Sequence, residues 1–134
     1  MSGSKNRNKG HRLERLIALI CREVFGFKHS RTSRSESKTL DNCGVDIANF
    51  PLLLQCKSGY DKRYPKYDQI YEYIKERLKE HYDKDDDIHK MPIVLIHKNS
   101  SRKRQGFVWQ FAHEDIVPIL QEYYEFKRNE IKKD

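Results

Sequence analysis

The sequence has few cysteines and no long apolar run. Only three of its 134 residues are cysteines (Cys21, Cys43 and Cys56), and none has the C-x-x-C spacing of a zinc or redox site. An odd number of cysteines without recurrent spacing argues against a disulfide framework and favours a reducing compartment. No apolar stretch is long enough for a signal peptide or a membrane span. We therefore expect a soluble intracellular protein without a membrane partner.

Motifs for several common sites are also missing. The six histidines show no H-E-x-x-H or cysteine-paired spacing, and the acidic run at residues 83–87 lacks the glycine and terminal glutamate of a calcium loop. We accordingly expect no zinc site, no calcium loop and no small-molecule cofactor.

Apolar residues make up only 37% of the chain, whereas charged residues make up 35%. The apolar residues are clustered enough to form one modest core, and this length is typical of a single domain. Lysine and arginine outnumber aspartate and glutamate by 27 to 20, which gives a net charge of +7. The positive electrostatic field of such a protein attracts polyanions, so nucleic acid is the first candidate partner. The alternative is that the charge serves solubility alone.

Hydrophobic periodicity predicts an α/β fold. Segments of period 3.6 predict three helices, at residues 9–25, 67–82 and 113–127. Short apolar or alternating segments predict five strands, at residues 27–31, 44–48, 52–57, 92–97 and 105–111. The order α-β-β-β-α-β-β-α predicts a mixed central sheet of about five strands flanked by helices. This single domain would cover residues 9–127, between a disordered basic arm at 1–8 and a frayed basic tail at 128–134.

Polar side chains interrupt two of the predicted strands. Gln55 and Lys57 are two residues apart and therefore project from the same face of their strand. Residues 44–48 and 52–57 are expected to pair as a hairpin, which would place Asp46 roughly opposite Gln55. Glu14 lies at the margin of the apolar stripe of the first helix, from which it can lean toward the sheet. Carboxylate and amide oxygens suit Mg²⁺, and a lysine beside them can stabilise developing negative charge during phosphodiester hydrolysis.

Several motifs together resemble the archaeal and phage Holliday-junction resolvases of the PD-(D/E)XK nuclease superfamily. They are K-G-H-R-L-E-R at residues 9–15, G-F at 26–27, Arg31 with a serine-rich loop, G-V-D-I at 44–47 and Q-C-K-S at 55–58. The resemblance implies a restriction-endonuclease-like fold and a homodimer that resolves four-way DNA junctions. It also implies Mg²⁺, with Mn²⁺ able to substitute, held by Glu14, Asp46 and Gln55. Lys57 would be the fourth catalytic residue.

Two residues depart from the superfamily pattern. Val45 stands where proline is common, and Gln55 replaces the usual glutamate and removes one negative charge. A Q-x-K motif is similar to that of the Mrr-like restriction nucleases. One alternative is therefore a duplex DNA endonuclease of restriction or repair, and another is a non-catalytic DNA-binding protein with a nuclease fold. The resemblance suggests the cytoplasm of a prokaryotic cell or of a phage-infected host.

Basic and hydroxyl side chains near these motifs are candidates for contact with DNA phosphates. The predicted turn at residues 98–104 holds four basic residues in seven, although an ordinary solvated turn is the alternative. Ser35 and Ser37 are the candidates for a loop serine that assists the site in the resembled enzymes. The full candidate set is Lys9, Arg12, Arg31, Arg34, Ser35, Ser37, Lys98, Arg102, Lys103 and Arg104.

Overall fold

The structure is a computed structural model that describes residues 2–59, 66–99 and 106–132. The predicted order of strands and long helices is confirmed, with two additional short helices between the first two strands. The elements are α1 (Ser2–Glu23), β1 (Arg31–Thr32), α2 (Ser33–Glu36), α3 (Lys38–Asn42), β2 (Ile47–Ala48), β3 (Leu53–Gly59), α4 (Tyr67–His81), a 3-10 turn (Asp87–Lys90), β4 (Ile93–Asn99), β5 (Gly106–Phe111) and α5 (His113–Lys132). Within these residues, no helix combines the length and apolar character needed to cross a bilayer.

The five strands form two sheets. β3 pairs in parallel with β4, which pairs antiparallel with β5, whereas β1 and β2 form a separate two-stranded antiparallel sheet. The mixed α/β class is therefore confirmed, but the described residues do not form the single sheet of about five strands that the sequence suggested. The predicted hairpin between residues 44–48 and 52–57 is likewise reduced to one backbone hydrogen bond, from Asp46 N–H to the Leu54 carbonyl at 2.8 Å.

A side chain explains why this hairpin does not continue as a ladder. The next outward N–H of β3, on Cys56, donates to the Asp46 carboxylate at 2.7 Å instead of to a backbone carbonyl. The backbone carbonyl of Asp46 accepts from Ser33 N–H at 2.8 Å, which directs β2 toward β1. Asp46 therefore lies at the outer edge of β3, between the two sheets.

Apolar side chains cover both faces of the three-stranded sheet. Leu54 and Cys56 of β3 face α1, whose residues Leu13 and Ile17 are buried against them. Leu53, on the opposite face of β3, packs with Ile74 and Leu78 of α4. Because side chains alternate along a strand, Gln55 and Lys57 lie on the α4 face with Leu53.

Local differences from the predicted elements occur at polar segments. The serine-rich loop that follows Arg31 contains α2 and α3, and Ser37 caps α3 by accepting from Leu40 N–H at 3.3 Å. Such caps satisfy the free N–H groups of a short helix without apolar periodicity, so a search for periodicity misses them. The predicted strand at 27–31 contributes only Arg31 to β1.

Both terminal helices extend beyond the ranges that the sequence predicted. α1 begins at Ser2, so residues 2–8 are helical where the sequence suggested a disordered arm, and α5 continues to Lys132 where it suggested a frayed tail. Once a helix has formed, each further residue adds a backbone hydrogen bond at small cost, so polar residues can prolong it.

Candidate active site

Asp46 is fixed by hydrogen bonds on both sides. Its N–H and its carboxylate bind β3 at Leu54 and Cys56, and its carbonyl accepts from Ser33 at the start of α2. The Ser33 side chain is buried and donates from Oγ to the neighbouring Val45 carbonyl. The largely buried carboxylate of Asp46 is thus held at a defined place on the edge of the sheet.

The surroundings of Asp46 disfavour its charge. The pKa of this carboxyl group is raised from 3.8 to about 7, mainly by burial and to a lesser degree by the negative charges of Glu14 and Asp41. The Cys56 N–H and the positive charge of Lys57 act in the opposite direction but do not offset the burial. Glu14 and Lys57 are therefore both within electrostatic reach of Asp46. A cation placed beside Asp46 would favour the ionised form.

Glu14 leans from α1 toward this edge. Its neighbours Leu13 and Ile17 pack on the sheet, which leaves the Glu14 side chain only 13% exposed. Its Oε2 accepts a hydrogen bond from Arg34 Nε of α2 at 3.1 Å. The predicted candidate is therefore at the site, with one carboxylate oxygen paired to an arginine.

Gln55 and Lys57 share a face but differ in exposure. Gln55 is buried, and its Oε1 has no hydrogen-bond partner among the described residues. Its Nε2 lies close to the backbone of Gly44, two residues before Asp46. Lys57 is exposed. The structure thus places the Gln55 amide beside the segment that carries Asp46, with Lys57 toward solvent at the same end of β3.

A divalent cation at this edge would draw on two carboxylates and one amide oxygen. The described residues contain no cluster of three or more His, Cys, Asp or Glu side chains that could bind a metal. The donors that fit Mg²⁺ are Asp46, whose ionised form is otherwise disfavoured, and Gln55, whose buried carbonyl oxygen accepts no hydrogen bond from the described part of the chain. Glu14 could join them through the oxygen that Arg34 does not bind.

A cleft lined with arginines opens beside Glu14. Its volume is about 440 Å³, and its lining residues are Arg15, Ala18, Arg22, Arg31, Thr32, Arg34 and Ser35. Arg22 and Arg31 each donate to the Ser30 carbonyl at 2.9 Å, and Arg34 is held by Glu14. Guanidinium groups anchored in this way are preorganised to bind phosphate.

The cleft contains three of the predicted DNA-binding candidates (Arg31, Arg34 and Ser35) and two arginines that the sequence did not single out. Arg15 and Arg22 are seven residues apart and so share one face of α1, which is the signal that could have paired them. Their proximity to β1 depends on the path of residues 24–31, where the sequence predicted a strand that in the structure begins only at Arg31.

The other predicted contacts with DNA have different surroundings. Arg12 and Lys98 are exposed, while Ser37 caps α3. Ser33, rather than Ser35 or Ser37, touches the Asp46 segment, and no spacing in the sequence distinguishes it. The Lys9 side chain and residues Arg102, Lys103 and Arg104 lie outside the described parts of the chain.

His97 of β4 is aligned with Lys57 of β3 and is buried on the same face of the sheet. Burial lowers the pKa of its imidazole, so the ring is neutral at physiological pH. The Cys56 thiol faces the other side, and burial raises its pKa well above the usual value, which makes it a poor nucleophile.

Comparisons with protein families, with curated proteins and with solved structures give no match. The function of the chain must therefore be inferred from the site itself.

Proposed function

We propose that this chain is a magnesium-dependent, structure-selective DNA endonuclease that cleaves four-way junctions, with a restriction-endonuclease-like arrangement around β3. The observation that carries the proposal is the position of Asp46. A hydrogen bond from Cys56 N–H holds its carboxylate at the edge of β3, within electrostatic reach of Glu14 and Lys57, and Gly44 of the same segment lies near the Gln55 amide. A purely structural strand edge has little reason to bury a carboxylate at this energetic cost.

The metal ligands in this proposal are Asp46, Gln55 and Glu14. When bound, Mg²⁺ supplies positive charge beside the scissile phosphate and acidifies the attacking water. Mn²⁺ would substitute, because it accepts the same oxygen ligands. The Cys56 N–H keeps the Asp46 carboxylate oriented, and the buried position of Gln55 fixes its carbonyl oxygen.

Lys57 and the arginine cleft would act on the substrate. Lys57 is exposed at the end of β3, where its ammonium group can stabilise the negative charge that develops on the phosphate. The arginine cleft adjoins the site through the Arg34–Glu14 ion pair, so a DNA backbone lying in it would deliver a neighbouring phosphate to Asp46. Contacts of this kind read backbone shape rather than base sequence.

Two observations favour rival functions. The neutral Gln55 favours a duplex endonuclease similar to the Mrr-like enzymes. The occupation of one Glu14 oxygen by Arg34, together with the neutral Gln55, favours a DNA-binding protein without catalysis. Paired cuts in a symmetric junction require a twofold enzyme, so the junction proposal includes a homodimer.

Cleavage of a labelled four-way junction and of a linear duplex of matched sequence tests the proposal, with Mg²⁺ or with chelator. We expect paired nicks in the junction that require Mg²⁺ and disappear in the Asp46→Asn variant, which keeps an oxygen for the Cys56 N–H. The matched control is Asp85→Asn, because Asp85 is exposed in the acidic loop. Equal cutting of both substrates would favour the duplex endonuclease, and tight binding without cleavage would favour the non-catalytic protein.

A further inference from the structure

Helix α5 has an apolar face that the rest of the described chain does not cover. Ile116 and Val117 are half-buried, but every residue from 118 to 131 is exposed. Six of the thirteen exposed large apolar residues in the described chain belong to this helix, so the exposure is concentrated rather than scattered. Their exposed fractions range from 41% to 74%, for Ile119, Leu120, Tyr123, Tyr124, Phe126 and Ile131.

These side chains form one continuous stripe. At about 100° per residue they fall, together with Ile116, within an arc of roughly 160° on the helix surface. The stripe runs from Ile116 to Ile131, a length of about 22 Å at about 1.5 Å per residue. The two charged residues within it, Lys127 and Glu130, bind each other at 3.4 Å. The stripe is therefore a coherent surface for packing against another helix.

We propose that α5 is a dimerisation helix that packs antiparallel against α5 of a second copy of this chain. Charge along the helix selects this occupant. The first half, residues 113–122, has three carboxylates (Glu114, Asp115 and Glu122) and no lysine or arginine. The second half, residues 123–132, has Lys127, Arg128 and Lys132 against two glutamates. An antiparallel partner of the same sequence places each acidic half along a basic half.

The same charges disfavour other occupants. A parallel copy would align acidic half with acidic half. Helices that lie on anionic membranes carry basic residues along the polar face, whereas half of this helix carries only acidic ones. DNA would be repelled in the same way by Glu114, Asp115 and Glu122.

The register follows from the ends of the stripe. Its midpoint lies between Tyr123 and Tyr124, so a twofold axis there aligns Ile116 of one copy with Ile131 of the other. The same axis sets Leu120 opposite Lys127. In a parallel pair, Leu120 of one copy would instead lie opposite Leu120 of the other copy. In the antiparallel pair, the two Leu120 residues are about 10 Å apart along the helix axis.

The first experiment measures the mass of the full chain by light scattering over a range of concentrations, in chelator and without DNA. We expect a dimer for the wild type and at least a hundredfold weaker association for Leu120→Lys. Gln121→Lys is the matched control, since Gln121 is exposed outside the stripe; it should leave the dimer intact. Circular dichroism verifies that both variants keep their helix content.

Cysteine cross-linking tests the orientation. The three native cysteines are buried, so introduced thiols react selectively. Leu120→Cys mixed with Lys127→Cys should give far more cross-linked dimer than either variant alone. A predominance of self-cross-linking would overturn the antiparallel arrangement.

Three further outcomes would overturn the proposal. They are a wild type that stays monomeric with and without junction DNA, a dimer insensitive to Leu120→Lys, and a monomer that binds phosphatidylcholine–phosphatidylglycerol vesicles through α5. None of these measurements requires cleavage. This inference rests on the proposed function in one respect: paired junction cuts need a twofold enzyme, so a monomer would reject the junction activity as well, whereas a dimer insensitive to Leu120→Lys would reject the α5 interface alone. A dimer that does not cut would reject only the proposed activity.

Discussion

Arg34 binds Glu14 through a hydrogen bond from Nε to Oε2 at 3.1 Å, and this ion pair joins α2 to α1 at the margin of the candidate active site. The same guanidinium lines the arginine cleft, and the same carboxylate raises the pKa of Asp46. One contact therefore connects the surface proposed to bind phosphate with the edge proposed to bind metal.

Arg34→Gln should separate these two effects. Loss of one phosphate contact should weaken junction binding about fivefold, a cost of about 1 kcal/mol. The freed Glu14 carboxylate should at the same time lower the Mg²⁺ concentration needed for half-maximal cleavage. Fluorescence anisotropy in chelator measures the first quantity, and a Mg²⁺ titration of cleavage measures the second. Lys79→Gln, an exposed change on α4, is the control. Unchanged values for both quantities would show that Arg34 serves neither function.

The raised pKa of Asp46 predicts how stability depends on pH. Its folded-state value of about 7 exceeds the unfolded value near 3.9, so the folded protein holds the proton more tightly. As pH rises from about 4 to 7, ionisation of this group favours the unfolded state, and above 7 the penalty is constant. At about 1.36 kcal/mol per pKa unit, the full penalty is at most about 4 kcal/mol.

Urea unfolding in chelator at several pH values measures this effect. Relative to Asp46→Asn, the wild type should lose stability between pH 4 and 7 and show a constant difference above that range. The Asp85→Asn curve should follow the wild type. Parallel curves for the wild type and Asp46→Asn would mean that Asp46 ionises normally.

Periodic patterns accounted for the parts of the fold that apolar packing determines. Leu13 and Ile17 mark the buried stripe of α1, and the alternation of Leu54, Gln55 and Cys56 fixes which side chains of β3 share a face. The position of Glu14 at the edge of that stripe followed from the same geometry. These predictions held because burial of apolar area selects one face of each element.

Polar contacts determine the parts that the sequence did not reveal. Ser33 holds the Asp46 segment through two hydrogen bonds, yet nothing in its neighbourhood distinguishes it from Ser35 or Ser37. Arg22 and Arg31 lie in the same cleft, where both donate to the Ser30 carbonyl. Such contacts depend on the path of a loop, which has no repeating pattern to detect.

Gly44 is required for the site by its backbone angle and by its surroundings. Its φ is +84°, and a Cβ there would lie 3.1 Å from Tyr73 Cε1 and 3.3 Å from Gln55 Nε2. Gly44→Ala should therefore destabilise the protein by about 2 kcal/mol or more. Gly10→Ala is the contrasting control, since Gly10 lies in α1 and, apart from the nearby backbone of that helix, no described residue comes within 4 Å of the added Cβ. That change should stabilise the helix by about 0.5 to 1 kcal/mol. Denaturant midpoints that shift equally in both variants would contradict this account.

Restoring a carboxylate at position 55 tests the role of the neutral amide. Gln55→Glu places a second buried acid close to the Asp46 segment. In chelator we therefore expect the melting temperature to fall by several degrees, which corresponds to a loss of about 1 to 3 kcal/mol in the free energy of unfolding. Saturating Mg²⁺ should recover that loss, and cleavage at limiting Mg²⁺ should increase. The control is Gln121→Glu on the exposed side of α5. An equal response of the two variants to Mg²⁺ would exclude residue 55 as a metal ligand.

The arginine cleft predicts a change in the salt dependence of DNA binding. Arg22 and Arg31 are anchored on the same carbonyl, so each presents a fixed charge to one phosphate. Arg22→Gln and Arg31→Gln should each reduce the slope of log binding constant against log salt by about 1, for junction and duplex alike.

Arg22→Lys distinguishes charge from anchoring. It keeps the charge but loses the guanidinium fork that reaches Ser30, so the salt slope should remain while overall affinity falls. The measurement is a series of anisotropy titrations in chelator at salt concentrations between about 50 and 200 mM. Over this range, contacts with DNA phosphates change the binding affinity strongly. The outcome that would contradict this account is a wild-type slope for both glutamine variants together with a reduced slope for Lys57→Gln. DNA would then approach Asp46 from the α4 side and would not contact the cleft.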